Sequence, residues 1–121
     1  MRARWRQLLG GAAEDLAARH LVGMGCDILA RRYRWRRGEI DLIVQDGPVL
    51  AFVEVKARRG QRFGTPAQAV TRRKRRHLVC TARHYLRKAG WGSCRCRFDV
   101  VCVELQEGRA RIRWLRDAFR P

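Results

Sequence analysis

The stretch GEIDLIVQDGPVLAFVEVKAR, residues 38–58, decides how the rest of the chain is read. Two runs of β-favouring residues flank QDGPV, whose Asp, Gly and Pro signal a tight reversal, so the stretch reads as a β-hairpin. Glu39–Gln45 is expected as one strand and Val49–Ala57 as the next. Phe52, Val53 and Val55 suit a sheet interior, yet Glu54 and Lys56 stand among them. Side chains alternate along a strand, so Phe52, Glu54 and Lys56 share one face. If the loop is the four residues Asp46 to Val49, Gln45 pairs with Leu50 and Asp41 falls opposite Glu54. Any even loop length keeps the two carboxylates on one face, and any odd length separates them.

Around this hairpin the hydrophobic pattern alternates between helical and strand periods. Leu8 to about Val22 reads as a helix with Leu9, Ala13, Leu16, Ala17 and Leu21 inward, ended near Gly23 and Gly25. Glu14 inclines toward that inward stripe, whereas Asp15 aligns with Arg19 as a solvated pair. Cys26–Trp35 alternates as a strand and runs into RRYRWRRG. After the loop GQRFGTP, Thr65-Pro66-Ala67-Gln68 offers an N-cap, a Pro at the first helical position and a capping-box Gln. That helix is expected to reach about Lys88, with Val70, Leu78, Ala82, Tyr85 and Leu86 inward, and to stop at AGWGS. Arg97–Leu105 reads as a buried strand. A last strand alternates Ala110, Ile112 and Trp114 with Arg109, Arg111 and Arg113. The expected fold is α/β, a mixed central sheet flanked by helices in the order α-β-β-β-α-β-β, as one domain over residues 1–121.

The charge points to a polyanionic partner. The chain has 28 Lys+Arg against 11 Asp+Glu, a formal net charge of +17, and only Lys56, Lys74 and Lys88 are lysines. The bases are spread over helices, strands and loops instead of facing a bulky apolar stripe, which favours nucleic acid over a membrane surface. RRYRWRRG contributes Arg31, Arg32, Arg34, Arg36 and Arg37 as phosphate contacts, and Arg58 follows the second hairpin strand. TRRKRRH adds Arg72, Arg73, Arg75 and Arg76 along a helix side. Lys74, at i±4 from Val70 and Leu78, points inward, and reaching a phosphate or snorkelling past the core are equally open. Five cysteines without a CxxC pair read as reduced packing residues, and no apolar run approaches transmembrane length, so the expected compartment is the cytoplasm.

Asp41, Glu54 and Lys56 together suggest chemistry. Two converging oxygen donors suit a hard divalent cation such as Mg²⁺ or Mn²⁺. A partly buried lysine beside it can orient or activate water, and the implied reaction is phosphodiester hydrolysis. Glu14 is the helix acid expected to join them. Taken alone, Glu54 and Lys56 read more readily as a solvated ion pair at a strand edge; Asp41 across the hairpin makes that costly, because adjacent carboxylates repel and lose solvation.

GEIDLIVQDGPVLAFVEVKAR, followed by FGTPAQAVTRRKRRHL and RFDVVCVEL, resembles the YraN-like family of predicted bacterial endonucleases. That family is similar to archaeal Holliday-junction resolvases within the PD-(D/E)XK nuclease superfamily. The resemblance implies a restriction-endonuclease-like core and a metal-dependent endonuclease acting on DNA, with branched or junction DNA and a homodimer as further expectations. It matches Asp41 to the acid before the turn, Glu54-Val55-Lys56 to the (D/E)XK and Glu14 to the first-helix glutamate, and adds the Val55 carbonyl as a metal ligand. Ile40 stands where the superfamily name has proline, and Ala57 where Thr often follows the lysine. The alternative is a basic DNA- or RNA-binding module without catalysis. A weaker third reading is a structural protein whose basic surface binds an acidic tail.

Overall fold

The computed structural model describes residues 11–59 and 70–121. Along the chain it contains helix α1 (Ala13–Gly23), strands β1 (Asp27–Trp35), β2 (Gly38–Asp46) and β3 (Val49–Arg59), helix α2 (Arg72–Ala89), and strands β4 (Arg95–Gln106) and β5 (Arg109–Phe119). The strands form one mixed sheet in the order β1-β2-β3-β4-β5. β3 and β4 run parallel and the other neighbours antiparallel. A parallel pair needs a long crossover, and the segment containing α2 supplies it.

Alternation along the strands places a helix on each face. Phe52, Ile43 and Phe98 pack with Leu78 and Ala82 of α2. Val53, Leu42, Ala51 and Val101 pack with Ala17, Ala18 and Leu21 of α1. The alanines let α1 lie close to the sheet, and each large aliphatic side chain buried between the layers contributes about 1.5–3 kcal/mol. All five cysteines are free. Among the described residues no helix is long and apolar enough to cross a membrane.

The β2–β3 hairpin has the expected register by a shorter turn. Gln45 pairs with Leu50, but Asp46 also pairs with Val49, leaving a two-residue turn of Gly47 and Pro48. Such turns need positive φ at a central position, and Gly47 provides it at +59°. Both loop lengths are even, so the carboxylates keep their common face.

Helix α2 starts later than its sequence suggests. Thr71 is extended (φ −63°, ψ 161°) and caps the helix, its hydroxyl accepting the Lys74 N–H at 3.2 Å. Thr65 and Gln68, the cap expected from sequence, lie outside the described residues, as do Leu8 and Leu9 of the first helix. At the other end Gly90 adopts the left-handed conformation, and the Trp91 N–H closes onto the Leu86 carbonyl, a common helix stop.

One glycine sets the spacing between α2 and the sheet. Gly38, buried at the start of β2, packs so tightly on α2 that a Cβ would fall 2.7 Å from the His77 carbonyl oxygen and closer still to Thr81 Oγ1. Gly38→Ala is expected to cost about 1–3 kcal/mol through overpacking. A lowered urea midpoint with unchanged m-value would register it.

Candidate active site between β2, β3 and α2

Asp41 sits where the sheet parts. The β1–β2 register passes from Arg31↔Leu42 to Tyr33↔Ile40 without an Arg32–Asp41 pair. The β2–β3 ladder stops at Leu42↔Val53. Ile40 and Ile43 belong to one core cluster although strict alternation would separate them, so β2 bends between the two. At the bend, Asp41 Oδ2 accepts the Val55 N–H at 2.7 Å, replacing the ladder with a side-chain bond. The N–H and C=O of a paired strand residue leave by the same edge, so the Val55 carbonyl also faces this opening.

Asp41 and Glu54 line one cleft of about 280 Å³ with Arg37, Gly38, Lys74 and His77. Glu54 is 4% exposed. Its Oε1 receives Lys74 Nζ at 2.5 Å and lies 3.9 Å from Lys56 Nζ. Its Oε2 is buried without a hydrogen-bond partner. A buried carboxylate oxygen left in this way is uncommon and calls for a ligand, and oxygen donors of this kind suit a hard cation.

The charges in the cleft distort one another. Burial first and the Glu54 charge second push Asp41 up to about 7, against the lowering effect of the Val55 N–H. Burial, then the Lys74 charge, lowers the Lys56 pKa from the usual lysine range. Burial opposes the Lys74 charge as well, but the hydrogen bond and charge of Glu54 outweigh it and raise that pKa. The two lysines are thus split into a firmly protonated one on the helix and a more readily neutralised one on the strand.

Glu14 lies on α1 close enough for its charge to add to the Asp41 shift, but both its oxygens meet Arg32 Nε at 3.3 Å. Among the described residues no three His, Cys, Asp or Glu side chains come together as a metal cage. Glu14 therefore neighbours the acid pair without sharing a donor set with it. Beside Gly11 lies the Arg32 guanidinium, 3.0 Å from where a Cβ would stand.

The arginines singled out from sequence divide sharply. Arg37 reaches the cleft, and Arg72, Arg73 and Arg76 are exposed. Arg34 pairs with Glu39, and Arg36 lies over the Trp35 ring, which itself stacks on His84. Arg58 is tied to Glu104, which is fully buried and also meets Arg113. Arg75 donates to the Val70 carbonyl and lies over Phe119. One pairing differs from expectation. Asp15 joins Arg31 at 2.9 Å, not Arg19, because β1 passes beside α1. Asp99 is held by Arg97 of its own strand and by Trp114.

The bond from Lys74 to Glu54 is what the sequence left open. Composition carried a signal for it: of three lysines among 28 basic residues, two meet at Glu54. Arginine cannot lose its proton and its fork is wide, so a chain rich in Arg keeps Lys where a compact or titratable cation is needed.

A family profile described as "Uncharacterised protein family UPF0102" matches residues 13–103. A UPF0102 protein of Symbiobacterium thermophilum is 53% identical over 112 residues, covering 92% of this chain and 95% of that protein. One from Rhodococcus opacus is 47% identical over the same shares. One from Solibacter usitatus is 48% identical over 98% of this chain and 90% of its own.

The Asp41 environment fixes a pH dependence. Its folded pKa of about 7 exceeds the ordinary 3.8, so between those values the native state binds more protons than the unfolded one and stability falls as pH rises. In chelator, Asp41→Asn is expected to flatten that slope and to gain on the order of 1 kcal/mol at pH 8 relative to pH 4. Urea denaturation at both pH values measures it; parallel curves for variant and wild type would refute it.

Proposed function

The chain belongs to the UPF0102 family, and from its cleft we propose that it is a metal-dependent endonuclease hydrolysing DNA phosphodiester bonds. The observation that carries this reading is the Asp41–Glu54 pair: a half-buried and a buried carboxylate lining one cleft, one oxygen orphaned, two lysines beside Glu54. A protein of net charge +17 that merely bound a polyanion would gain nothing from aiming two acids at it.

In this reading Asp41, Glu54 and the Val55 carbonyl would hold Mg²⁺ or Mn²⁺, and Glu14, bound to Arg32, would add only its negative charge from α1. The ion, when bound, polarises the phosphoryl group and offsets charge developing on it. Lys56, its pKa lowered, takes a proton from the water that attacks phosphorus as general base; the P–O bond to the sugar oxygen breaks, and that oxygen leaves with a proton from solvent. Lys74 stays charged and balances the carboxylates until a phosphate enters. Arg37 at the cleft rim meets that phosphate, a contact that positions the backbone without reading sequence. The PD-(D/E)XK core, a branched or junction substrate and a homodimer enter the proposal through the resemblance to archaeal resolvases, and a cytoplasmic site through the free cysteines. A non-catalytic binding module is favoured by one observation, the acid-free basic helix α2, which needs no chemistry to be useful.

Incubating the protein with supercoiled, linear and four-way-junction DNA, with Mg²⁺ or Mn²⁺ and with chelator, separates the two. Metal-dependent cleavage is expected, abolished in Glu54→Ala and lowered roughly 10²- to 10⁴-fold in Lys56→Met, with DNA affinity held within a few-fold. Binding without cleavage on every substrate would leave the binding module.

A further inference from the structure

Helix α2 carries eight Lys or Arg in eighteen residues and no acid. Arg72 to Arg75 crowd its first turn, where the helix dipole disfavours positive charge, and Arg72/Arg76 and Arg83/Arg87 repel as like charges four apart. Such a helix is poorly suited to standing alone, and the fold supplies little relief. All eleven Asp and Glu lie within the described residues. Among the described residues none of them pairs with Arg72, Arg76, Arg83 or Arg87.

These arginines also point away from the cleft. At about 100° per residue, Arg83 and Arg76 lie about 180° and 200° around the helix from Lys74, with Arg72 and Arg87 at about 160° and 220°. Arg72, Arg76, Arg83 and Arg120 line an outward groove of about 460 Å³ floored by Val79 and Cys80. The full width of the helix separates this groove from Asp41 and Glu54.

We propose that the outward face of α2 is a second nucleic-acid-binding surface, holding backbone phosphates of a segment other than the one that enters the cleft. Guanidinium forks match phosphate oxygens. The stripe lacks the bulky apolar residues that a membrane-lying helix would bury, which leaves nucleic acid as the polyanion it fits. The proposal rests on the nucleic-acid part of the reading above and is independent of catalysis.

The test is duplex-DNA binding by fluorescence anisotropy, titrated from about 50 to about 200 mM salt. It compares wild type, R76E/R83E and the charge-matched control R109E/R111E on the exposed side of β5. R76E/R83E is expected to lose at least about 10-fold in affinity beyond the control, and its log–log salt slope to fall by about 2, since each phosphate left unneutralised removes about 0.9. Helical circular dichroism should be unchanged, since both sites are exposed. Equal losses in variant and control would reduce the effect to net charge and overturn the proposal, as would an unchanged slope. Loss of binding to phosphatidylserine vesicles with DNA binding intact would assign the face to membranes and overturn it too. Wild type that binds no DNA would remove the nucleic-acid reading itself, whereas wild-type binding untouched by R76E/R83E removes only the second surface.

Discussion

The bond from the Val55 N–H to Asp41 is the constraint on which the cleft depends. Regular pairing would have given that N–H to a backbone carbonyl of β2 and closed the sheet. A side-chain acceptor leaves β2 and β3 apart while keeping the donor satisfied, so the opening costs no buried, unpaired N–H. It also holds one carboxylate beside Glu54, although burial and mutual repulsion oppose ionising both. Lys74, brought across from α2, offsets that opposition, and it arrives because Gly38 lets the helix approach the start of β2 so closely. Strand bend, glycine contact and lysine position are one arrangement seen from three residues.

The same chain handles its remaining charge by saturation. Most of its acids are taken up in ion pairs that tie element to element: Asp15 to β1, Asp46 to Arg97 and Arg116, Glu104 to Arg58 and Arg113. The exposed one among them, Asp15–Arg31, adds little stability. Together the pairs decide which arginines stay available, and those concentrate on α2, whose sequence contains no acid to quench them.

Much of this was legible beforehand, for identifiable reasons. The Asp41–Glu54 relation followed from parity, which survived an error in loop length because two and four are both even. Two core faces followed from alternation, and the inward aim of Lys74 from its place between Val70 and Leu78. What could not be read was which partner each long side chain finds. With 28 bases and 11 acids, the choice of Arg31 over Arg19 for Asp15 is set by which strand passes beside the helix. The start of α2 at Arg72 was not read because nothing in the helical pattern marks Thr71 as extended. The bend at Asp41 left no mark in the hydrophobic pattern, since Ile40, Leu42 and Ile43 are apolar on either side of it.

The β2–β3 ladder, five residue pairs long, has unlike ends. One is clamped by a two-residue turn stiffened by Pro48; the other ends in a lone side-chain bond at Asp41. Mechanically this is a clothes-peg, with its spring at Gly47-Pro48 and its jaws at the carboxylates. Force or thermal motion that separates the strands acts at the jaws first, because the lever arm is longest and the fastening weakest there. The end at which β2 and β3 part most readily and the cleft of the two carboxylates are therefore the same place.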